Sequence, residues 1–543
     1  MMTMTRRTLG LGASALALTT VAACGGGGGG AARPARILHM GNGAEPLSLD
    51  PHKASGTWEN RIIGDMFVGL TTEDASANPI PGMAESWTTS PDGLTWTFKL
   101  RDATWSDGTP VTADDFVFAF RRILDPKTAA QYATMLNGFK NAEAVIAGTM
   151  PPDAVGARAV DPKTLELTLD HPMPYLPGLL THYTSFPVPK HVVEKFGEKW
   201  IQPENIQVNG PFKLKEWRAN TLVHVVKNEA YWDKANVALN ELFYYPTTDN
   251  NAAERQIRTK ELDAQADFSG QRMEFLKKEL PEYVRVHPYL GLNYIIFNQK
   301  KKPFDDVRVR TALTMAVDRV FAAEQILKAG QYPAYNLVPK GIANYPGGVE
   351  AAWKDTPVAE RRVEAKKLLE AAGFGPNNPL SFTFTHRNTG DNPRLAPVFQ
   401  NDWKSIAEWV QVEIMQIDTQ IHYDNLRAGN FEVGDAGWIA DFNDARNFLY
   451  LYETKSGAMN YGKFSNPEFD RLMKAADDEI DLAKRGELLV AAERIIVQEW
   501  PMCPTVFLVN KNLVSPRITG WVDNITDIHR ARYLSTKEAA AEA

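Results

Sequence analysis

Cysteine is scarce in this sequence, which contains only Cys24 and Cys503 among 543 residues. Cys24 lies in an N-terminal segment where we expect lipidation, so no disulfide within the chain is predicted and Cys503 is expected to be a small buried residue. Stability must then come from packing. Positive charge is also in short supply, since the net charge is −7. Such a protein is not expected to bind nucleic acid, whose partners present basic surfaces.

The motifs of common hydrolases are missing as well. The sequence has no Gly-x-Ser-x-Gly elbow, no His-Glu-x-x-His pair and no Walker loop. Its ten histidines are scattered, and His386, His422 and His529 lack the spacing typical of metal ligands. We therefore predict no metal, no other cofactor and no catalytic group. An exported hydrolase acting on peptides or esters stays open as an alternative, because enzymes need not carry these motifs.

Long apolar runs are absent beyond the first residues, so no later segment is predicted to cross a membrane. The early run over 9–23 ends in Val-Ala-Ala-Cys at 21–24, which resembles the lipobox of a bacterial lipoprotein. We predict a signal peptide over 1–23, lipidation of Cys24 and a flexible glycine-rich tether over 24–34. The protein is then expected in the periplasm or at the cell-envelope exterior, held to a bacterial membrane by its lipid alone. An uncleaved membrane anchor is the alternative.

The part of the chain after this tether is too long for a single core, and two or three domains are expected. Apolar and polar residues alternate over 94–100 and over 165–169, which predicts half-buried strands. The sequence Thr112-Ala113-Asp114-Asp115 is close to a capping box and predicts a helix through Ile123.

The C-terminal half alternates helix and strand patterns. Thr356-Pro357 predicts the start of a helix and Gly373 its end. A strand pattern over 380–384 follows, then helical spacing over 395–410, then a strand pattern over 412–414. This order predicts a mixed α/β fold class.

Six short motifs stand along the chain in a characteristic order and spacing. They are Ala-Glu-Pro-Leu-Ser-Leu-Asp-Pro-His at 44–52, Pro-Gly-Met-Ala-Glu-Ser-Trp at 81–87, Trp-Ser-Asp-Gly-Thr-Pro-Val-Thr-Ala-Asp-Asp-Phe at 105–116, Asn-Gly-Pro-Phe at 209–212, Pro-Phe-Asp-Asp-Val-Arg-Val-Arg at 303–310 and Ala-Gly-Trp-Ile-Ala-Asp-Phe-Asn at 436–443. Together they resemble the solute-binding family 5 proteins of ABC importers, in particular the peptide-binding members. The resemblance covers nearly the whole chain after the tether.

The resemblance implies a two-lobed clamp of three domains that closes over its ligand. One lobe would be discontinuous and carry an inserted domain, and the other would anchor the ligand. The implied boundaries are 35–67, 191–291 and 510–543 for the first lobe, 68–190 for the inserted domain and 292–509 for the second lobe. The chain crossings near Leu290 and Val509 would form the hinge.

Family peptide binders hold the α-ammonium of the ligand with an aspartate in the Ala-Gly-Trp-x-Ala-Asp stretch, which makes Asp441 the predicted anchor. An ammonium enclosed between lobes loses water, and a carboxylate compensates for that loss. The alternative is an aspartate that caps a turn with Asn443. Gly437 and Trp438 match positions whose main chain pairs with the extended peptide, which gives affinity without sequence preference. Trp438 could equally be a core residue.

The resemblance implies further ligand contacts at Ser55, Thr57, Tyr132, Asn388, Gln420, Arg427 and Asp435. The alternatives without a ligand contact are a helix-surface aromatic for Tyr132 and a solvated helix end for Arg427. Three positions depart from the family peptide binders, which have glutamate at 55, tryptophan at 420 and arginine at 435. Because Asp435 replaces a cation with an anion, recognition of a short peptide's carboxylate is expected to be weaker. The preferred peptide is therefore expected to differ in length or character.

These inferences predict an exported, lipid-anchored receptor that captures oligopeptides and delivers them to an ABC importer, a complex of permease and ATPase. We expect a monomer that performs no chemistry on its ligand and closes by a hinge motion. A modified peptide such as a cell-wall fragment, or a non-peptide solute, is the alternative cargo.

Overall fold

The computed structural model of the protein describes residues 35–542. The predicted signal peptide, the lipidation site at Cys24 and the tether over 24–34 lie outside these residues. Nineteen β-strands and sixteen α-helices run through the described part of the chain. Between residues 35 and 542, no helix has the length and apolar character that a membrane span requires.

The strands, numbered in chain order, are short in the first half of the chain, and the two longest lie in the second half. They are β1 Ile37–Gly41, β2 Thr71–Glu73, β3 Pro79–Pro81, β4 Ala84–Thr89, β5 Thr95–Leu100, β6 Ala157–Asp161, β7 Thr164–Thr168, β8 Phe212–Arg218, β9 Leu222–Lys227, β10 Glu241–Tyr245, β11 Ala264–Gln265, β12 Val284–Phe297, β13 Tyr332–Pro333, β14 Leu380–Arg387, β15 Val410–Ile417, β16 Val433–Ile439, β17 Met502–Val514, β18 Ile518–Thr519 and β19 Ser535–Thr536.

The α-helices are concentrated in the second half of the chain. They are α1 Thr57–Met66, α2 Ala113–Leu124, α3 Ala142–Ile146, α4 Leu176–Leu179, α5 Lys190–Phe196, α6 Asn250–Arg258, α7 Met273–Glu279, α8 Val307–Ala316, α9 Arg319–Phe321, α10 Val358–Ala371, α11 Asn392–Lys404, α12 Thr419–Ala428, α13 Arg446–Leu449, α14 Pro467–Asp478, α15 Leu482–Glu499 and α16 Lys537–Glu542.

One large sheet organises the described chain, with the strand order β15-β14-β16-β12-β17-β11-β1-β10-β9-β8 and with β13 paired to β17. The long antiparallel strands β12 and β17 join the strands of its two halves. Their pairing is irregular between Pro288 and Leu292, next to the predicted crossings at Leu290 and Val509. These two strands are therefore the candidates for a hinge, and the domain boundaries given above stay a prediction.

The hydrophobic core is also divided, as the strands of the large sheet are. One cluster of buried residues draws on the chain between Leu38 and Ala264 and on a few residues from Val514 onward. Two other clusters draw on residues between Leu290 and Phe507. Cys503, predicted to be buried, is free and fully enclosed in one of them. The apolar residues therefore pack in more than one core, as the length of the chain requires.

Most local predictions are confirmed. Trp96 and Phe98 of β5 face the core of a smaller sheet with the order β4-β5-β7-β6. The predicted capping box between Thr112 and Asp115 opens α2.

Two helix boundaries differ from the prediction. α10 begins at Val358 with Pro357 as its N-cap, one residue later than predicted. α11 ends at Lys404, and Val410, predicted to be helical, is the first residue of β15. The amides of Ile406 and Val410 each bond a carbonyl three residues back in the intervening turn. A run of apolar residues thus continued the helical period across a turn and into a strand.

Candidate ligand-binding site

A cavity of about 190 Å³ collects residues from distant parts of the chain. Its lining includes Ser55, Thr57, Tyr132, Tyr183, Tyr289 and Asp441. Asp441 reaches it because β16 ends two residues earlier, where the amide of Ala440 donates to the carbonyl of Leu290 over 2.8 Å. Three predicted ligand contacts from the first part of the chain and the predicted anchor thus share one cavity.

The Asp441 carboxylate has no hydrogen-bond or ion-pair partner within residues 35–542. Burial raises its pKa to about 7, with no nearby cation to oppose the rise. Tyrosines surround it instead. Burial and the Asp441 charge raise the pKa of Tyr132 to about 12, and the same charge contributes to the raised pKa values of Tyr289 and Tyr450. The cavity therefore holds an acid that is costly to ionise until a cation arrives.

The three residues that follow Asp441 each contact another part of the protein. Phe442 stacks on Tyr175 with ring centroids 5.4 Å apart. The Asn443 Oδ1 accepts from the Ala343 amide over 3.0 Å, and Asp444 forms a two-bond ion pair with Arg485. A turn in which Asn443 partners Asp441 is therefore not what the structure contains.

The loop before α1 is fixed by one buried acid, Glu59. Its Oε1 accepts from the amides of Leu47 and Ser48, and its Oε2 accepts from those of Ser55 and Gly56. These four bonds position the Ser55–Thr57 stretch against the cavity. The Ser55 amide makes this contact, and its hydroxyl has no hydrogen bond to other residues within 35–542.

The edge of β16 next to Asp441 is open to a further strand. β16 pairs with β12 along one side, and its pairing with β14 on the other side stops at Gly434. Because the Ala440 amide faces β12 and strand residues alternate, the polar main-chain groups of Gly437 and Ile439 face the opposite side. The Ile439 side chain is 45% exposed. Beyond Gly434 this edge has no strand partner within residues 35–542, although the Gly437 amide already contacts the Tyr423 side chain. By the same alternation, the Trp438 main chain faces β12.

A second cavity, of about 370 Å³, continues along this edge and shares Ile439 with the first. Gly437 and Trp438 line it, as does Arg387 at the end of β14. Trp438 is half-buried, and its Nε1 donates to Asn447 over 2.9 Å. It therefore serves as a fixed wall rather than as a fully buried core residue.

Arg387 is a cation of this second cavity that the sequence did not reveal. Its Nε donates to Asp435 Oδ2 over 2.7 Å, and its amide donates to Oδ1 over 2.8 Å. Its Nη1 donates to the Tyr423 hydroxyl over 2.9 Å. The guanidinium is held against the wall of the cavity, and its Nη2 lies 3.5 Å from Asn392 Oδ1, a long contact that a ligand could replace.

Asp435 does not line either cavity, contrary to its predicted contact with the ligand. Burial favours the neutral acid, but the hydrogen bond from His422 and the charge of Arg387 outweigh it and hold the pKa of Asp435 below its usual value. His422 Nε2 lies 3.1 Å from Asp435 Oδ1. Asp435, the anion at the position of the family arginine, is thus paired with Arg387. Arg387 in turn supplies a cation to the second cavity.

Three other predicted contacts lie outside the two cavities. Asn388 is exposed, and its Oδ1 accepts from the Thr419 hydroxyl over 3.2 Å. Gln420 and Arg427 both donate to Asp424 on the surface of α12. For Arg427 the structure favours the solvated helix end that the sequence left as its alternative.

The chain is similar in sequence and in fold to known proteins. A sequence model described as bacterial extracellular solute-binding proteins, family 5 middle, matches residues 78–460. The chain belongs to this family. It is 39% identical over 502 residues to the periplasmic oligopeptide-binding protein OppA of Salmonella typhimurium, covering 89% of this chain and 90% of that protein.

Two further similarities bear on the site. The periplasmic murein peptide-binding protein MppA of Escherichia coli is 35% identical over 492 residues, with coverage of 90% and 91%. The crystal structure of Haemophilus influenzae OppA in complex with RPPGFSPFR superposes with a TM-score of 0.78 at 34% identity, covering 93% of this chain and 99% of that one. These neighbours confirm the predicted family and the two-lobed α/β fold.

Proposed function

We propose that this family member is an exported receptor that captures oligopeptides along the open edge of β16 and delivers them to an ABC importer. The unpartnered Asp441 carboxylate carries the proposal, because partial burial raises its pKa and it lies just beyond that edge. The α-ammonium of a peptide would supply the missing cation. Relatives named as oligopeptide-binding proteins support the same cargo.

The two binding elements divide affinity and selectivity between them. A peptide that extends the β16 edge gains main-chain hydrogen bonds that are the same for every sequence. The ion pair at Asp441 fixes where the peptide begins, since an acetylated or internal amide cannot neutralise the carboxylate. The receptor is therefore expected to read the free N-terminus and to tolerate varied side chains.

Arg387 supports a second requirement, for an anion further along the peptide. Gly437 lies four residues before Asp441, about 13 Å away along an extended strand. Three or four ligand residues span that distance. The fork of Arg387 would then meet either the C-terminal carboxylate of a short peptide or an acidic side chain.

A murein peptide is the second candidate cargo. The similarity to a protein named murein peptide-binding favours it, and so does Arg387, because cell-wall peptides carry carboxylates beyond the C-terminal one. Calorimetry with a plain tripeptide and with a cell-wall tripeptide of equal length separates the two. Tighter binding of the plain peptide would exclude the murein assignment while leaving the peptide receptor intact.

An exported hydrolase is disfavoured by the geometry of the first cavity. Ser55 and His182 both line it, but no hydrogen bond joins them within the described chain. His182 Nδ1 lies 2.9 Å from the Thr184 hydroxyl, and burial, with a smaller effect of Arg530, lowers the pKa of His182 to about 3. Such an imidazole is a poor general base at neutral pH. New fragments after incubation with mixed peptides, detected by mass spectrometry, would revive the enzyme.

Export and partners belong to the same proposal. The lipid on Cys24 would hold a monomeric receptor at the periplasmic or outer side of a bacterial membrane, within reach of the importer's permease and ATPase. Replacing Cys24 with alanine should release the protein from the membrane fraction without changing its peptide affinity. Membrane retention of that variant would exclude the lipid anchor.

The cargo can be identified directly. Native mass spectrometry of the protein purified from its own cells should show bound species whose masses fit short peptides. Fragmentation of the released ligands should show free N-termini. Recovery of only non-peptide molecules would contradict the proposed function.

A further inference from the structure

Two histidines and an aspartate meet beside the Asp441 cavity. His287 lies in β12, and Asp527 and His529 lie in the segment after β18. One ligating atom from each residue lies within 4.8 Å of the other two. Two imidazole nitrogens and one carboxylate oxygen are a donor set that Zn²⁺ binds, commonly with water as the fourth ligand. We propose that these three residues form a Zn²⁺ site.

The two histidines are each oriented by a neighbouring side chain. His287 Nε2 lies 3.3 Å from Asn512 Oδ1, and the Asn512 amide nitrogen donates to Ala266, which fixes that oxygen toward the ring. His529 stacks on Trp521 with ring centroids 3.8 Å apart. Metal-binding histidines typically have such second contacts, which restrict the ring to one orientation.

Asp527 contributes a carboxylate oxygen to the group. Its Oδ1 lies 3.2 Å from His529 Nε2, and its Oδ2 accepts from Arg61 over 3.1 Å. An ion between the rings would therefore meet a carboxylate oxygen that already faces His529. The three residues are largely enclosed, so the ion would displace little solvent.

A small cavity beside His529 contains buried polar atoms without hydrogen-bond partners in the described chain, which independently favours a bound water or ion. It holds about 30 Å³, room for one water, and Asn42 and Gln265 line it. Both residues are buried, at 2% and 1% exposed. Their carbonyl oxygens, Asn42 Oδ1 and Gln265 Oε1, accept no hydrogen bond from the described chain. A water on the ion would donate to such oxygens and complete the coordination.

The charge of Arg61 opposes the ion and sets a limit on its affinity. The Arg61 side chain is 24% exposed and also borders the larger ligand cavity, so it has space to withdraw. The carboxyl group of Asp65 also borders the 30 Å³ cavity, but burial raises its pKa and so favours its neutral form. The site is therefore expected to take a divalent ion at moderate affinity rather than as a permanent structural metal.

Calorimetry with Zn²⁺ and the full, chelator-treated chain tests the site. We expect one ion per chain, and His287→Ala or His529→Ala should weaken binding at least about 10-fold, since even outer contacts to a metal site cost that much. His191→Ala is the matched control, because His191 pairs with Asp107 at the surface. That variant should bind like the unaltered protein.

Tryptophan fluorescence supplies a readout that is specific to this place. Zn²⁺ at His529 should change the emission of Trp521, and Trp521→Phe should lose that change while still binding the ion. Asp527→Asn, nearly equal in size, should weaken binding and yet keep the far-ultraviolet circular dichroism of the folded protein. Absence of Zn²⁺ binding, or equal binding by the folded Asp527→Asn and His529→Ala variants, would overturn the proposal.

Discussion

Asp435 and Asp441 lie six residues apart on one segment, the first buried and the second half-buried. The first has Arg387 and His422 beside it, and its pKa falls. The second has neighbouring tyrosines and no ion-pair partner within residues 35–542, and its pKa rises to about 7. The environment rather than the residue type decides the role. A paired acid supports the architecture, whereas an unpaired one is available to a ligand.

The largest expected effect is on peptide binding at Asp441. Asp441→Asn removes the charge but keeps the shape, so the ammonium of the peptide would be enclosed without a counter-ion. This costs about 3–5 kcal/mol, and titration calorimetry should show affinity reduced at least about 100-fold. Asp424→Asn, at the surface of α12, is the matched control and should bind normally. Unchanged binding by Asp441→Asn would remove the anchor.

The second effect is on folding and separates the two acids. Asp435→Asn leaves the guanidinium of Arg387 without its counter-ion and should lower the free energy of unfolding by about 3 kcal/mol. Asp441→Asn should leave stability unchanged or raise it, because an uncompensated buried charge is removed. Urea unfolding followed by circular dichroism measures both. Equal destabilisation by the two variants would contradict the distinction.

The third effect concerns selectivity at Arg387. Arg387→Gln should weaken binding of a tripeptide with a free carboxylate by about 10–100-fold, the value of a charge-assisted hydrogen bond. The same peptide with an amidated C-terminus should bind both proteins alike. Fluorescence competition with the two peptides gives the comparison. An equal loss for both peptides would mean that Arg387 acts only through its pair with Asp435.

The smallest effect is a pH dependence that belongs to Asp441. Its pKa in the free protein is about 7, and a bound ammonium favours the ionised form and lowers it. Affinity should therefore be full above pH 7 and fall about 10-fold for each pH unit below it. The sign for folding is opposite, since protonation below pH 7 relieves the unpaired charge. Asp441→Asn should flatten the binding profile between pH 8 and 6.

Much of the site follows from the sequence because its residues are contiguous. Gly437, Trp438 and Asp441 stand in one motif, the first two on β16 and the third two residues after its end. Arg387 was missed because its importance arises from Asp435, which stands 48 residues later and meets it only when β14 and β16 are neighbours. Asn388 and Gln420 matched family positions, but in the structure they are exposed and form hydrogen bonds with Thr419 and Asp424.

The end of α11 and the meeting of His287 with His529 show the same limit of prediction from sequence. The helical period through Val410 could not reveal the turn after Lys404, because turn and strand continued the apolar spacing. His287 and His529 come from opposite ends of the second half of the chain, so no local spacing predicts their meeting. Patterns within one element are readable from the sequence, whereas contacts between elements require the fold.

The most direct measurement is calorimetry of one tripeptide, with a free and with an acetylated N-terminus, on the unaltered protein and on Asp441→Asn. Acetylation should reduce the affinity of the unaltered protein at least about 100-fold and should have little effect on the variant. If the unaltered protein bound both peptides equally, the carboxylate of Asp441 would not be the partner of the peptide ammonium.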